Sequence, residues 1–440
     1  MNRLPSLLAA AGLALLVSSP AAASSLLEVY ERAAVEDAEL RAAEAEYRSV
    51  LETRPLARSA LLPQITGEAE AGAFYNDPDG MPSSDGRQTR FGVSLNQSVY
   101  DRRNYIELAQ ADLRVARAEA ELDGARQDLM LRVSEAYFEV LVTQETLQFR
   151  EAELQAIERQ LDQTQRRFEV GLIASTDVKE AQAQRDIAEA ERIAAENQLD
   201  IAREQLAVIT NQHWDTLDPL REDTELTPPE PADPDAWVAT ALENNLELAA
   251  QRLGTDTARE QIQRQRAEGL PRVGLNASVS DTSYHGFDTT DGTGTRFDGV
   301  DAQVGLRLEV PFYTGGRVSA LTRQAREEFQ AAQAGQSLVE RRTTQQTRSA
   351  YLTVLANASR VRALEQAMAS TQAAFESAEA GFEVGTRTQV DVLLALREVF
   401  RAERDYAEAR YGFLIASLQL QRAAGRLSVA DLEAIDAMLE

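Results

Sequence analysis

The chain has 440 residues, and its acids outnumber its bases 71 to 45, for a formal net charge of −26. A surface of that sign argues against a nucleic-acid partner, which needs a basic face to displace phosphate counterions; the acidic excess serves either a function or solubility in a salty habitat. There is no cysteine, which excludes disulfides, thiolate metal sites, a cysteine nucleophile and a lipid anchor on an N-terminal cysteine.

Arg3, the apolar run from Leu4 to Val17 and the small residues Ser18-Ser19-Pro20-Ala21-Ala22-Ala23 read as a secretory signal, so residues 1–23 are set apart from the fold. No later stretch offers the ~18 apolar residues of a membrane-crossing helix. Contact with a bilayer core would therefore have to come through a closed β-barrel, the other structure that satisfies every backbone group in lipid.

From residue 24 to 211 the pattern runs helix, hairpin, long helix, helix. Leu26, Val29, Tyr30, Ala33 and Leu40 fall at helical spacing, and Pro55 is expected to kink or divide that helix. After Pro63, the small or apolar residues Ile65, Gly67, Ala69, Ala71, Ala73 and Tyr75 alternate with Gln64, Thr66, Glu68 and Glu70, which predicts a strand over about 64–76. A polar loop follows, and then a second strand over about 89–100 with Phe91, Val93 and Leu95 on one face. Each strand is expected to be about ten residues long, enough to cross a bilayer at a tilt. Between Asp101 and Val170 there is no proline and a single glycine, Gly124. The expected helix, about 102–170, would reach roughly 100 Å at 1.5 Å per residue, and a shorter one, about 176–211, returns beside it.

Prolines 219, 228, 229, 231 and 234 mark residues 212–235 as a linker, expected at the waist of the helical bundle. Residues 236–424 then repeat the first unit. Leu270-Pro271 echoes Leu62-Pro63, strands are expected at about 271–281 and 299–311, and helices at about 316–384 and 387–424. Val140, Leu147, Leu154, Leu161 and Phe168 recur every seventh residue, as do Val354, Val361, Met368, Phe375 and Phe382, the seam of supercoiled helices. The tips match best: FEVGLIASTDV, Phe168 to Val178, aligns without a gap on FEVGTRTQVDV, Phe382 to Val392, with Asp177 on Asp391. Residues 425–440 close the chain as a short equatorial segment.

Two hairpins supply four strands, too few for a barrel and with two edges that lipid does not tolerate. The wall must be shared between chains. Two copies would give eight strands, a barrel filled by its own side chains, and three would give twelve, so a pore favours three. The fold class is mostly α with a membrane β-barrel, built on a duplicated helix, hairpin, long helix, helix repeat.

QLDQTQRRFEVGL (160–172), STDV (175–178), SDTSY (280–284), VPFYTGG (310–316), EVGTRTQVDVL (383–393) and AEARYGFLIASLQL (407–420) together carry a resemblance to the TolC-type outer-membrane efflux protein family, and they extend over nearly the whole mature chain. That resemblance implies a homotrimer whose 12-stranded β-barrel lies in outer-membrane lipid, continuous with a 12-helix α-barrel that crosses the periplasm. It implies a passive exit duct of a tripartite system, closed at rest and opened by docking to a periplasmic adaptor (membrane fusion) protein and an inner-membrane pump of RND, ABC or MFS type. The clients would be small toxic compounds, proteins, or both. The chain is not expected to be an enzyme or to hold a cofactor.

With the resemblance, Asp391 would repeat around the axis as a pore-entrance ring of carboxylates that attracts cations; as a residue alone it reads first as an acid offsetting the dipole of a helix first turn. The family places a second acid three residues later, where this chain has Leu394. The resemblance assigns Asp177, with Thr176, to an entrance latch with Arg387, written as a charge-assisted hydrogen bond. The bland alternative is a pair of exposed tip charges worth under about 1 kcal/mol. Phe382 stands where the latch normally has a tyrosine, so fewer polar ties and some aromatic packing are expected there. Val170-Gly171-Leu172 and Val384-Gly385-Thr386 form the turns, with glycine where a helix end needs positive φ; the resemblance adds adaptor docking at these tips.

His213 and His285, one beside the linker and one in a loop, suggest no site. No nucleophile-and-base arrangement or metal-ligand spacing is present, and GTGTRFDG leads into a strand, unlike a nucleotide loop. The competing readings are a soluble periplasmic coiled-coil adaptor or stalk protein, an envelope enzyme, and a duct dedicated to type I protein secretion.

Overall fold

The computed structural model describes residues 23–76, 79, 84–221, 223–224, 226–287 and 295–440. The expected signal segment, apart from Ala23, and the tips of both hairpin loops lie outside the described residues. The first repeat consists of α1 (Leu26–Glu36), α2 (Ala38–Leu51), α3 (Thr53–Ser59), β1 (Gln64–Asn76), β2 (Ser84–Tyr100), α4 (Arg102–Glu169) and α5 (Ser175–Thr210). The second consists of α6 (Pro234–Asn244), α7 (Leu246–Ala267), β3 (Arg272–Phe287), β4 (Thr295–Glu309), α8 (Arg317–Glu383) and α9 (Gln389–Ala423), after which α10 (Val429–Asp436) closes the chain. No helix among the described residues is long and apolar enough to cross a membrane.

Pro55 divides its helix as expected. Its ring lacks an N–H and crowds the carbonyl of Leu51, so α2 ends there and α3 begins at Thr53. Counting back from Pro63 and Pro271, the matching residue of the second repeat is Gln263, and α7 runs through it unbroken. A second break, absent from the sequence reading, recurs in both repeats. Asp37 and Asn245 leave the helical conformation and cap the next helix, accepting the N–H of Leu40 at 2.7 Å and of Leu248 at 3.0 Å. Arg132 of α4 braces the first break, donating to Asp37 Oδ1 at 3.0 Å and Oδ2 at 3.2 Å.

The four strands form one antiparallel sheet in the order β1-β2-β3-β4, with β2 joined to β3 across the repeats. The register sorts side chains cleanly. Ile65, Leu95, Ala277 and Val304 form one row of the apolar face, and Gly67, Val93, Val279 and Ala302 the next. Thr66, Ser94, Ser278 and Gln303 form a row of the opposite, polar face. β1 covers the expected 64–76, whereas β2 begins five residues before the expected 89, β3 ends six after the expected 281 and β4 begins four before the expected 299. Apolar alternation marks only part of each strand. Backbone pairing continues past it through polar partners such as Thr89 with Ser283 and Arg87 with His285, which also places His285 in a strand and not in a loop. Among the described residues the outer edges of β1 and β4 have no partner strand.

α4 and α8, of 68 and 67 residues, each extend about 100 Å. Below the waist α5 packs on α4, α4 on α9 and α9 on α8; above it α3, α4, α7 and α8 lie side by side. The seven-residue seam is buried at Val140, Leu154, Val354 and Val361, but Phe168 at the tip is 45% exposed. The main core sits at the waist, where α4 and α9 meet α1, the linker and α10 around Tyr137, Phe138, Tyr411, Leu217 and Leu432. Tyr137 Oη donates to the carbonyls of Ser24 (3.0 Å) and Asp218 (2.9 Å), and Tyr411 Oη donates to Glu145 Oε1 (2.5 Å). Burial pushes the Glu145 carboxyl above the usual range against the opposing effect of that hydrogen bond.

Candidate functional site

The two tips close with the same turn because they share Phe-Glu-Val-Gly. In the first, Gly171 takes φ +79°, its N–H donates to Phe168 O (2.9 Å), and the Leu172 N–H donates to Arg167 O (2.9 Å). In the second, Gly385 takes φ +79°, its N–H donates to Phe382 O (3.1 Å), and the Thr386 N–H donates to Gly381 O (2.8 Å). Paired bonds of this kind satisfy the last carbonyls of a helix and require a left-handed residue, which glycine supplies without strain. Val170, Leu172 and Val384 stand 70–76% exposed, so both tips present apolar side chains to water.

The returning helices start differently. Thr388 caps α9 in a reciprocal box: its Oγ1 accepts the Asp391 N–H (3.2 Å), while Asp391 Oδ2 accepts the Thr388 N–H and hydroxyl (both 2.8 Å). The Thr388 N–H, then its hydroxyl, with Arg387 adding positive charge, hold the Asp391 carboxyl below its ordinary value. The helix-start reading of Asp391 thus has a concrete form. At the matching position of the first tip Ala174 offers no side chain to cap α5, and among the described residues Asp177 accepts from Thr176 Oγ1 alone, at 3.5 Å.

Within one protomer no ion pair joins Asp177 to Arg387 among the described residues. Arg387 folds back on its own turn, where a Cβ at Gly381 would come within 2.7 Å of Arg387 Cγ. Phe382 does take an aromatic contact: the Arg167 guanidinium carbon lies 4.6 Å from its ring centroid, linking the last turns of α4 and α8. Such a cation–π contact is worth about 0.5–1 kcal/mol at an exposed site. It joins residues from different repeats, and nothing in local spacing announces it. Leu394 is 50% exposed. No cluster of His, Asp or Glu among the described residues could hold a metal ion.

The sequence profile of the family described as "Outer membrane efflux protein" matches residues 29–212 and 237–426. The chain is 36% identical over 440 residues to outer membrane protein TolC of Vibrio cholerae, covering 100% of this chain and 99% of that protein. It is 30% identical to the alkaline protease secretion protein AprF of Pseudomonas aeruginosa, covering 96% and 89%. Among solved structures, the outer membrane protein VceC of Vibrio cholerae superposes with a TM-score of 0.76 at 20% identity, covering 91% of this chain and 96% of that one. With the profile matched in both repeats and the relatives aligned nearly end to end, the chain belongs to the outer membrane efflux protein family, whose members are export ducts of the outer membrane and not enzymes.

Proposed function

We propose that three copies of this chain form a passive exit duct, each β4 edge pairing with the β1 edge of its neighbour. Three copies of the four-stranded sheet make twelve strands, and the helices continue below as a twelve-helix tunnel across the periplasm. The carrying observation is a sheet with one apolar face, two unpaired edges and helices of ~100 Å running on from it. On β4 the apolar positions from Val300 to Leu308 span about 26 Å along the strand and about 20 Å in depth at a tilt near 40°, close to the ~25 Å apolar band of outer-membrane barrels. Lower down, Ile187, Ala194, Ile201 and Val208 recur every seventh residue on the open flank of α5, and all are exposed in the single chain. A neighbouring copy would cover them.

In the trimer Asp391 repeats around the axis as the cation-attracting ring, and Arg387 reaches Asp177 and Thr176 across the boundary between copies as the latch. The apolar tips at Val170, Gly171, Leu172, Val384, Gly385 and Thr386 receive a periplasmic adaptor, which couples the duct to an inner-membrane pump. The pump chooses the clients, small toxic compounds in the leading reading. The likeness to a protease secretion protein supports protein export as the second.

Planar-bilayer recording of the purified trimer tests the reading. Wild type should conduct weakly, Arg387→Ser should conduct several times better, and block by a trivalent cation should be lost in Asp391→Asn. Material that stays monomeric in detergent and electrically silent would refute the duct, and an unchanged Arg387→Ser would refute the latch.

A further inference from the structure

Above the tips, α9 enters the groove between α4 and α5. Leu393 is 3% exposed and packs with Leu154 and Ile157 of α4 and Ala188 of α5. One turn further along α9, Arg397 reaches the same groove. Its Nε lies 3.3 Å from Glu153 Oε1 and its Nη2 3.6 Å from Glu191 Oε1, while its Nη1 donates to Gln184 Oε1 at 3.1 Å. Arg150 completes the group, donating to Glu153 Oε2 at 2.7 Å and standing 2.7 Å from Glu191 Oε2. That last contact lacks hydrogen-bond alignment, so charge alone holds that oxygen. The Glu153 side chain is only 2% exposed.

We propose that Arg397 is a clasp that sets the resting aperture by pinning the second repeat's coiled coil to the first; this rests on the duct reading above. Two carboxylates face two guanidinium groups, one of the four from α9; Glu153 is closed to water, while Arg150, Arg397 and Glu191 stay 23–33% exposed. If α8 and α9 swing away from α4 and α5, Arg397 must leave, and Glu153 and Glu191 are then left with Arg150 alone. The cost falls on Glu153, the one buried member, which loses one of its two cations and must share the other with Glu191; withdrawing a partner from a buried charge costs more than the net gain of forming the pair. The arrangement therefore penalises any movement that parts the two coiled coils. It acts about 14 Å along α9 from its cap at Thr388, and at the tip itself the contact recorded between the two coiled coils is Arg167 on Phe382. Arg397 is thus a positioning residue for the gate, acting through the helices and away from the narrowest point.

Single-channel conductance of the full-length trimer, with trimer yield and melting in detergent measured alongside, tests the clasp. Arg397→Ala should raise conductance severalfold, and Arg397→Lys, which keeps the charge, should stay near wild type. Arg397→Glu should open the duct, and combining it with Glu153→Arg should return conductance toward wild type, a rescue that loss of packing would not produce. Wild-type conductance in Arg397→Ala, or failure of the exchange to move conductance back, overturns the clasp while conducting wild-type and Arg387→Ser trimers keep the duct. Silence from every trimer overturns both.

Discussion

Placing a charge on one face of β4 tests the wall of the duct directly. Val304 lies midway between Val300 and Leu308 on the apolar face and is 75% exposed in the single chain. Each end of the band is four residues away, about 13 Å along the strand and about 10 Å in depth at a tilt near 40°. Val304→Arg therefore sets a guanidinium close to the bilayer midplane, where it costs about 2–4 kcal/mol per chain, or about 6–12 kcal/mol for three copies. Per chain this is a roughly 30- to 700-fold shift away from the inserted state. Gln303→Arg, one residue away, points to the opposite face and should leave insertion nearly unchanged. The assay is the fraction of folded, protease-protected protein recovered in lipid vesicles or in the outer-membrane fraction. Equal recovery of wild type and Val304→Arg, or equal losses from Val304→Arg and Gln303→Arg, would refute the assignment of faces.

Two further predictions concern the helical part. Burial raises the Asp37 carboxyl pKa, but the Arg132 hydrogen bonds, the Leu40 N–H and the Arg132 charge together outweigh burial and hold it below its ordinary value. A depressed carboxyl pKa stabilises the fold above the unfolded value of about 3.9, and that stabilisation is lost as pH falls through the folded value. Asp37→Asn, which can still cap α2, should cost about 2 kcal/mol at pH 7, and the gap from wild type should close in melts below about pH 4; a gap independent of pH would remove the role of the charge. Gly425 takes φ +70°, and a Cβ there would lie 2.3 Å from the Asn244 carbonyl oxygen. Gly425→Ala should destabilise the waist by at least about 2 kcal/mol from the left-handed backbone and the clash, and an unchanged melting temperature would contradict this.

Much of the architecture was legible because it rests on periods. Sevenfold apolar spacing marked α4 and α8, alternation marked the apolar face of the four strands, and Pro55, Pro63 and Pro271 ended helices where a missing N–H must end them. The helix breaks at Asp37 and Asn245 were missed because a polar residue inside a helical pattern reads as surface until its cap geometry is seen. The loop-side ends of β2, β3 and β4 were missed because polar pairing there carries no apolar signal. At the candidate site, duplication alone singled out Asp177, Asp391 and the Val-Gly turns. The Arg167 contact with Phe382, and Arg397 between Glu153 and Glu191, join residues hundreds of positions apart in some cases, and no local pattern encodes them. The latch roles proposed for Arg387 and Asp177 would depend on neighbouring copies, a level of organisation that a single chain does not contain.

The pairing of β2 with β3 also bears on how the molecule is made. Asn96 and Asn276, hydrogen-bonded at 2.5 Å, are 180 positions apart, so the first hairpin emerges from export with an unsatisfied margin long before its mate is available. Even after the two hairpins meet, the proposed duct requires β1 and β4 to wait for other copies. Throughout that interval a sheet with one greasy side is exposed to indiscriminate stacking, the ordinary route to aggregation for slow, long-range β-structure. Glu68 and Glu70 put like charge on the open margin of β1, a feature that opposes the pairing of two such margins, and a net charge of −26 adds mutual repulsion between immature copies.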